Sequence, residues 1–562
     1  KVYTPKNNTD DYKDDYMSRA HWVNALMGGS ERLPDSAGLR IPVDMALAFH
    51  SDAGVRDGDG IVGTLGIYYT RENGGKFVGG TDRYRSRDLT DLVQTQVVED
   101  IRRTFEPGWQ RRGLWNRAYY EARVPGVPTM LLELLSHQNF ADMRYGSDPR
   151  FKFLVSRAVY KGILRYISSQ YGLPYVVQPL PVESLAVQFA EGGKAAVTWS
   201  PVMDSLETTA APTGYVVYTR IDDGGFDNGR YTDKPYLLSE QEPGRIYSYK
   251  VTAVNEGGES FPSEVVAACR IPGGKGNVLV VNGFDRISGP AVIDTPDAAG
   301  FDLSQDPGVP YLYDISLCGA QQNFSRKEAG RRLGESSDEY EGMKIIGNTF
   351  DYPFVHGKAI QAAGNYSFVS CSDEAVEKGI LSLEDYPIVD YILGLEKEDN
   401  SSNPARNTYY KTFSSPMQRI LTSYCQSGGH LLVSGAYVGS DMDSSQGNKE
   451  FIQNILKYRH GNSLKTDGDK IAVRGLGHTF TLPRLPNEQS YPVTSPDCIL
   501  PMSPAFPVMT YAISNTPAAV AYQGSDYRTF VMGFPFESIR EETSRNVIMA
   551  SILRFLTTDY TD

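Results

Sequence analysis

Ile41-Pro-Val-Asp-Met-Ala-Leu-Ala-Phe49, closed by His50-Ser51-Asp52, is the stretch on which the reading of the N-terminal region turns. Its apolar residues form a short buried-strand pattern, and the polar His50 stands where that strand stops. Open α/β sheets bind ligands beyond the carboxyl ends of their strands, so His50 occupies a position where chemistry is found. An imidazole there suits a metal, with its second nitrogen held by another acceptor; a surface or packing role is the alternative. Working outward, Leu92, Val93, Val97, Ile101 and Phe105 recur at helical spacing between Thr90 and Phe105. Thr129-Met-Leu-Leu-Glu133 is a second apolar strand, entered through the turn Pro125-Gly-Val-Pro128. From Pro149, the residues Phe151, Leu154, Val155, Ala158, Val159, Ile163, Tyr166 and Ile167 form an amphipathic helix. Strands alternating with helices predict an α/β domain over residues 1–175 with a largely parallel sheet.

Pro174–Pro181 reads as a linker, and the period then changes to two. Ala195-Ala-Val-Thr-Trp199, Gly214-Tyr-Val-Val-Tyr218 and Tyr247-Ser-Tyr-Lys-Val-Thr-Ala253 are strands separated by turns such as Asp222-Asp-Gly-Gly225, which predicts a β-sandwich over 179–271. With Trp199, Tyr218 and Tyr247-Ser-Tyr-Lys-Val-Thr-Ala-Val-Asn255-Glu-Gly257 in place, the segment resembles a fibronectin type III domain. That likeness implies a Trp packed between the sheets and a hydrogen-bonded Tyr at a strand corner.

Residues 275–562 return to α/β texture. Strands are expected at Asn277-Val-Leu-Val-Val281, Lys344-Ile-Ile346, Pro387–Ile392 and His430-Leu-Leu-Val-Ser434, and helices at Pro416–Ser427 and Arg545–Leu556. Met417 to Gly435, together with Phe530-Val-Met-Gly533-Phe-Pro535, resembles the helix–turn–strand units of glutamine-amidotransferase-like α/β domains, so a flavodoxin-like or amidotransferase-like fold is implied. Such relatives carry a Cys nucleophile at a strand-to-helix elbow, but the strand from His430 ends in Ser434-Gly435 and Cys425 lies in the preceding helix. No spacing joins Ser434 to His356, His460 or His478 as a triad, and a non-catalytic role is expected for this region. Glu396–Arg406 reads as a surface loop.

Composition narrows the classes of partner. The chain has 562 residues, enough for about three or four domains, with 40% hydrophobic and 22% charged residues. A formal charge of −13 excludes a general nucleic-acid binder, which needs a concentrated positive face. No apolar run reaches the roughly 18 residues of a spanning helix. The sequence starts at Lys1 rather than Met, and the expectation is that a preceding segment has been removed. Five cysteines without a CxxC pair read as plain buried thiols rather than a disulfide or zinc framework.

Ala46-Leu-Ala-Phe-His50-Ser-Asp-Ala53 is similar to the strand-His-polar-Asn-Ala signature of zinc-dependent N-acetylmuramoyl-L-alanine amidases. Val127-Pro-Thr-Met-Leu-Leu-Glu133-Leu-Leu-Ser-His-Gln-Asn139 resembles that family's strand ending in its catalytic Glu. Arg19-Ala-His-Trp-Val-Asn24 and the helix from Asp148 match its flanking elements. The resemblance implies that His50 is a zinc ligand and that Glu133 is the catalytic acid/base, with zinc activating water to cut the amide between muramic acid and the stem peptide. The family's first His and Glu ligands lie on earlier elements, and residues 1–13 hold neither residue type, so the remaining ligands are expected before residue 1. Asp52 replaces the family's Asn, and Leu134-Leu135 replaces its Gly-Phe. His21, within a helix beside Trp22, reads as structural, whereas His137 is open to substrate binding or proton transfer. Asp57-Gly-Asp-Gly60 lacks the later bidentate Glu of an EF-hand and reads as a tight loop.

The leading expectation is therefore a periplasmic or secreted, zinc-dependent amidase-like hydrolase acting on peptidoglycan or a related cell-surface glycan or peptide. Two alternatives stand beside it. Bacterial proteins of similar arrangement are catalogued as putative xanthan lyases, and the chain also fits a non-catalytic extracellular glycan-binding or adhesion protein.

Overall fold

In the computed structural model, which describes residues 2–56, 60–324, 333–399 and 410–557, the first region is a four-stranded sheet with helices on both faces. Its strands are β1 (Ala46–Asp52), β2 (Thr64–Tyr68), β3 (Arg111–Asn116) and β4 (Thr129–Ser136), in the order β1-β4-β2-β3. Its helices are α1 (Asp11–Met27), α2 (Tyr84–Thr104), α3 (Tyr120–Arg123), α4 (Phe140–Gly146) and α5 (Pro149–Tyr171). The sheet is mixed rather than largely parallel: β1 and β4 are parallel, as are β2 and β3, but β2 runs antiparallel to β4. The cause is the direct return from β1 to β2 without the crossover helix that parallel strands require. Asp57–Asp59 of the loop singled out in that return lie outside the described residues.

Met130 and Leu132 of β4 point into the main core, where Val93, Val97 and Ile101 of α2 meet Phe151 and Val155 of α5. The helix expected from Thr90 starts earlier, at Tyr84, because its first turn is polar and hides the apolar period. Leu131, Leu65, Ile67 and Ala48 form a thinner apolar layer on the opposite face. β1 departs from the buried strand expected at Ile41–Phe49: it begins at Ala46, forms the sheet edge, and leaves Phe49 exposed.

The middle region is a sandwich. One sheet holds β5 (Glu183–Phe189), β6 (Lys194–Ser200) and β9 (Tyr236–Glu240). The other holds β7 (Gly214–Ile221), β8 (Arg230–Thr232), β10 (Tyr247–Asn255), β11 (Gly258–Glu259) and β12 (Val266–Ala268). Trp199 packs against Tyr215 with ring centroids 5.3 Å apart, and the Glu242 backbone N–H donates to the Tyr247 hydroxyl at 3.1 Å. These are the inter-sheet Trp and the strand-corner Tyr that the sequence implied.

The last region centres on β13 (Asn277–Asn282). An excursion follows, with β14 (Val292–Asp294), β15 (Ala299–Asp302), β17 (Gln321–Phe324) and β18 (Leu333–Ser336) in one sheet. Beside it, β16 (Tyr313–Asp314) pairs with β19 (Ile345–Ile346). The strand expected at Lys344–Ile346 is this β19, outside the main sheet. The chain then runs through α6 (Tyr352–Ala362), β20 (Ser367–Ser372), α7 (Asp373–Glu377), β21 (Ile388–Gly394), α8 (Ser415–Gln426) and β22 (His430–Gly435). It ends on a strand (Arg528–Met532) and a helix (Glu542–Thr557) that return to the sheet. Counted along the sheet, β20, β13, β21, β22 and Arg528–Met532 are mutually parallel neighbours. Ala375, Val376, Met417 and Leu421 cover one face, and Ala359, Ile360, Ile548 and Ile552 cover the other. β13 reads as a continuous apolar run for this reason: Leu279 and Val281 face one helix layer, Val278 and Val280 the other. Glu396, assigned from the sequence to a surface loop, is instead buried where the chain leaves β21, and residues 400–406 of that loop lie outside the described residues.

The sandwich and the last region share one sheet. β5 pairs antiparallel with β20 through Val187–Ser370 and Ala186–Cys371, so a single twelve-stranded sheet runs from β9 of the sandwich across the parallel strands. The Ala267 backbone N–H donates to Ser370 Oγ at 2.6 Å, which fastens β12 to the same strand. Gly357 of α6 lies close enough to β20 that an added Cβ would sit 2.1 Å from the Phe368 ring. Replacement of Gly357 by Ala is expected to lower unfolding stability by about 1–3 kcal/mol through overpacking, despite the better helix propensity of Ala. Chemical denaturation of both proteins checks this, and equal stability would mean that α6 is free to move off β20.

Candidate functional site

Parallel pairing brings the two predicted site residues together. His50 of β1 and Glu133 of β4 are register partners, so their side chains leave the same face of the sheet near the carboxyl ends of both strands. A third residue joins them that sequence reasoning did not identify. Glu121, on the single-turn α3, places Oε2 3.0 Å from His50 Nε2, and Arg19 of α1 lies 3.4 Å from Oε1 of the same carboxylate. No motif marked Glu121; only the fold carries Tyr119-Tyr-Glu-Ala-Arg123 back over β1 and β4.

The electrostatics of the three differ. The hydrogen bond that His50 donates to Glu121 raises the His50 pKa above the ordinary histidine value, outweighing partial burial. Burial raises the Glu133 pKa, and the nearby Asp52 carboxylate adds to the effect. Asp52 is itself tied to Arg112 at 2.5 Å. Glu133 is half-buried, and its Oε2 is shielded from solvent without a hydrogen-bond partner. An orphaned buried carboxylate oxygen is costly, and such groups gather where a ligand or a proton supplies what the protein does not.

The neighbouring histidines divide as their surroundings dictate. His21 Nε2 is 2.8 Å from the Tyr120 hydroxyl and supports α3 from below. His137 Nδ1 is 3.0 Å from Ser51 Oγ, at the rim of a large cleft. For zinc, the donor count decides. A catalytic zinc ion takes three protein ligands and leaves one position open. His50 and Glu121 offer two donors, already in contact with each other, and among the described residues no third ligand atom closes a set of three with them. The described residues offer two of the three protein donors that a catalytic zinc ion takes.

The cleft, of about 1330 Å³, is walled by all three regions. His137 and Phe153 come from the first, Phe226 and Phe261 from the sandwich, and Tyr311 and Tyr313 from the last. Contacts between the walls hold it in shape. Phe140 packs on Phe301 and Phe324 with centroids 5.8 and 5.6 Å away, and Arg157 pairs with Asp204 at 2.9 Å. Glu264, Asp285 and Glu374 also line it, close to Asp373 and Glu396. Burial and mutual repulsion hold Glu264 up to about 8 and push Asp285 and Asp373 well above the ordinary carboxylate range. None of these acidic residues carries a sequence motif, although Asp285, Asp373 and Glu396 each lie within three residues of the end of a core parallel strand.

In the last region, Ser434 Oγ is buried without a partner, and none of His356, His460 and His478 bonds to it among the described residues. His356 is enclosed between Asp390 at 2.7 Å and Glu537 at 3.1 Å, which hold its pKa up to about 9. Four of the cysteines are buried and Cys318 is half-buried; all five are free.

Residues 180–268 match the family model described as the fibronectin type III domain. The sandwich is a fibronectin type III domain. Among solved structures, the chain resembles one titled "Myokine structure" at 19% identity, covering 17% of this chain and 99% of that one with a TM-score of 0.14. The CwlD amidase from Clostridioides difficile, in complex with the GerS lipoprotein, is 16% identical over 30% of this chain and 70% of its own, with a TM-score of 0.21. The exo-beta-1,4-mannosidase Op5Man5 from Opitutaceae bacterium strain TAV5 is 11% identical over 38% of this chain and 33% of its own, with a TM-score of 0.24. Likenesses of this strength carry no argument about activity. No curated protein matches the chain. Among the described residues, no helix is long and apolar enough to cross a membrane.

Two titrations follow from this geometry. Because Glu121 raises the folded pKa of His50, the pair's stabilisation is full below about pH 6.5 and is lost as pH rises through the folded value. Glu121→Gln is expected to return the His50 midpoint towards the ordinary value in an NMR titration; an unmoved midpoint would deny the pairing. Glu133 has the opposite effect on stability. Its raised folded pKa costs stability as pH climbs above 4.5, so Glu133→Gln is expected to melt higher than the wild type at pH 7. A lower melting temperature would mean that Glu133 serves the fold.

Proposed function

We propose that the first domain is an amidase-like hydrolase domain acting on an amide of peptidoglycan or a related polymer at the cell surface or in the periplasm, with Glu133 as its acid/base. The observation that carries this reading is the unpartnered, solvent-shielded Oε2 of Glu133 on the same face as the His50–Glu121 pair. A carboxylate whose pKa is raised above the ordinary value is better suited to take and return a proton in one cycle. Glu133 would accept a proton from the attacking water as the C–O bond forms, and deliver it to the leaving nitrogen as the amide C–N bond breaks. His50, charged and oriented by Glu121, would donate a hydrogen bond to the carbonyl oxygen as negative charge develops there. Arg19 braces Glu121 from α1. The chain resemblance read from His50 and Glu133 supplies the substrate class, and the fibronectin type III domain accords with an extracellular setting.

A second reading rests on the cleft. Its exposed aromatic side chains Phe261, Tyr311 and Tyr313 offer faces on which sugar rings can stack, which favours glycan binding without hydrolysis. One assay separates the two. The full chain is incubated with purified peptidoglycan, with and without added zinc, and newly freed amino groups and soluble stem peptides are measured. The hydrolase reading predicts their release, with activity reduced at least 100-fold in Glu133→Gln while co-sedimentation with peptidoglycan is retained. Co-sedimentation without release by the wild type would favour the binding reading, and neither would refute both.

A further inference from the structure

The acidic wall of the cleft lies apart from the His50–Glu133 face and has a different chemistry. Asp285, beyond β13, and Asp373 and Glu374, at the start of α7, each bring a carboxylate oxygen to within 4.8 Å of the other two. Among the described residues, no lysine, arginine or histidine pairs with any of the three; Asp373 receives only the Tyr391 hydroxyl, at 3.3 Å. Three ionised carboxylates at this separation repel one another strongly unless a positive charge sits between them.

A second observation points the same way. Asn282, at the end of β13, is completely buried. Its Nδ2 donates to Glu264 Oε2 at 2.7 Å, its register partner on β20 is Ser372, directly before Asp373, and its Oδ1 has no partner among the described residues. A buried carbonyl oxygen of this kind needs a donor or a cation. Every candidate donor atom here is oxygen, the set preferred by hard cations over zinc or copper. Calcium binds oxygens at about 2.3–2.6 Å in flexible geometry, so donors on opposite sides of one ion stand about 5 Å apart. A trio within 4.8 Å is of the size that closes on one such ion. Magnesium demands a tighter, near-octahedral shell.

We propose that Asp285, Asp373 and Glu374 hold a calcium ion, with further oxygen supplied by Asn282 Oδ1 and by the open cleft. The ion ties the exits of β13 and β20 together beneath Glu264 of the fibronectin type III domain, and so braces the wall between that domain and the last region. Because Glu264, Asp285 and Glu374 line the cleft, a coordination position faces its interior and is open to hydroxyl or carboxylate oxygens of a bound polymer.

Calorimetry on the chelator-stripped full chain, titrated with calcium chloride and separately with magnesium chloride, tests this. The expected result is saturable binding of about one calcium ion per chain, weaker binding of magnesium, and a melting temperature several degrees higher in 1 mM calcium than in chelator. Asp373→Asn combined with Glu374→Gln should abolish the binding heat and the thermal shift. In chelator this variant should melt no lower than the wild type, since it loses repulsion and keeps its shape, and that comparison shows that it is folded. Absence of saturable calcium binding to the wild type, tighter binding of magnesium, or undiminished calcium binding by the folded variant would overturn the proposal.

Discussion

The pairing of β5 with β20 is the joint on which the architecture depends. Without it β20 would be the open edge of a parallel sheet, with a row of backbone groups left for water or for another chain. Val187 and Ala186 of the fibronectin type III domain close that edge, and Ser370 Oγ adds a bond to β12 from within the strand. Domains joined by a linker alone are free to swing; two domains that share a sheet are not. The first domain is then held against both by α5 and by the Phe140 contact. The cleft is the space left where the three regions meet, and the shared sheet brings Glu264 of the sandwich to the wall that also holds Asp285 and Glu374.

Two places in this frame hold carboxylates against the grain of stability. Glu133 keeps an oxygen buried and without a hydrogen-bond partner beside the His50–Glu121 pair, and the acidic wall crowds Glu264, Asp285, Asp373 and Glu374 without a basic partner among the described residues. Elsewhere the chain solves the same problem in the ordinary way. Asp100 meets Lys161 at 2.6 Å in the core, and Asp306 meets Arg286 at 2.6 Å. Where buried carboxylates stand without such partners, as at these two places, the positions are open to something other than the protein itself.

The sequence makes the three-part organisation readable because each part has its own period. The strand at Thr129–Glu133, the helix from Pro149 and the parallel strands from Asn277, Ile388 and His430 announce themselves by apolar runs and turn residues. Trp199 and Tyr247 are legible because their roles in a sandwich are local. The direction of β2 is not, since it follows from a loop that carries no period. Nor is the burial of Glu396, which is set by the backbone N–H groups of Asp285 and Arg286 that its Oε2 accepts at 3.1 and 2.9 Å. His50 and Glu133 stand out as polar residues that follow apolar runs within their strands. Glu121 does not, because a four-residue helix offers no pattern and its partner is made by tertiary contact. The acidic wall is assembled from the ends of three strands far apart in the chain, and only the position of each acid just past a buried strand hinted at it.

The account turns on whether Glu133 is a carboxylate held ready for proton transfer. Carbon-13 NMR of the chain labelled at glutamate carboxyls, with Glu133→Gln to assign the signal, reads its protonation directly across pH. A midpoint clearly above the ordinary 4.5 is the predicted result. A midpoint at or below that value would contradict it, and would make Glu133 a solvated or paired surface charge.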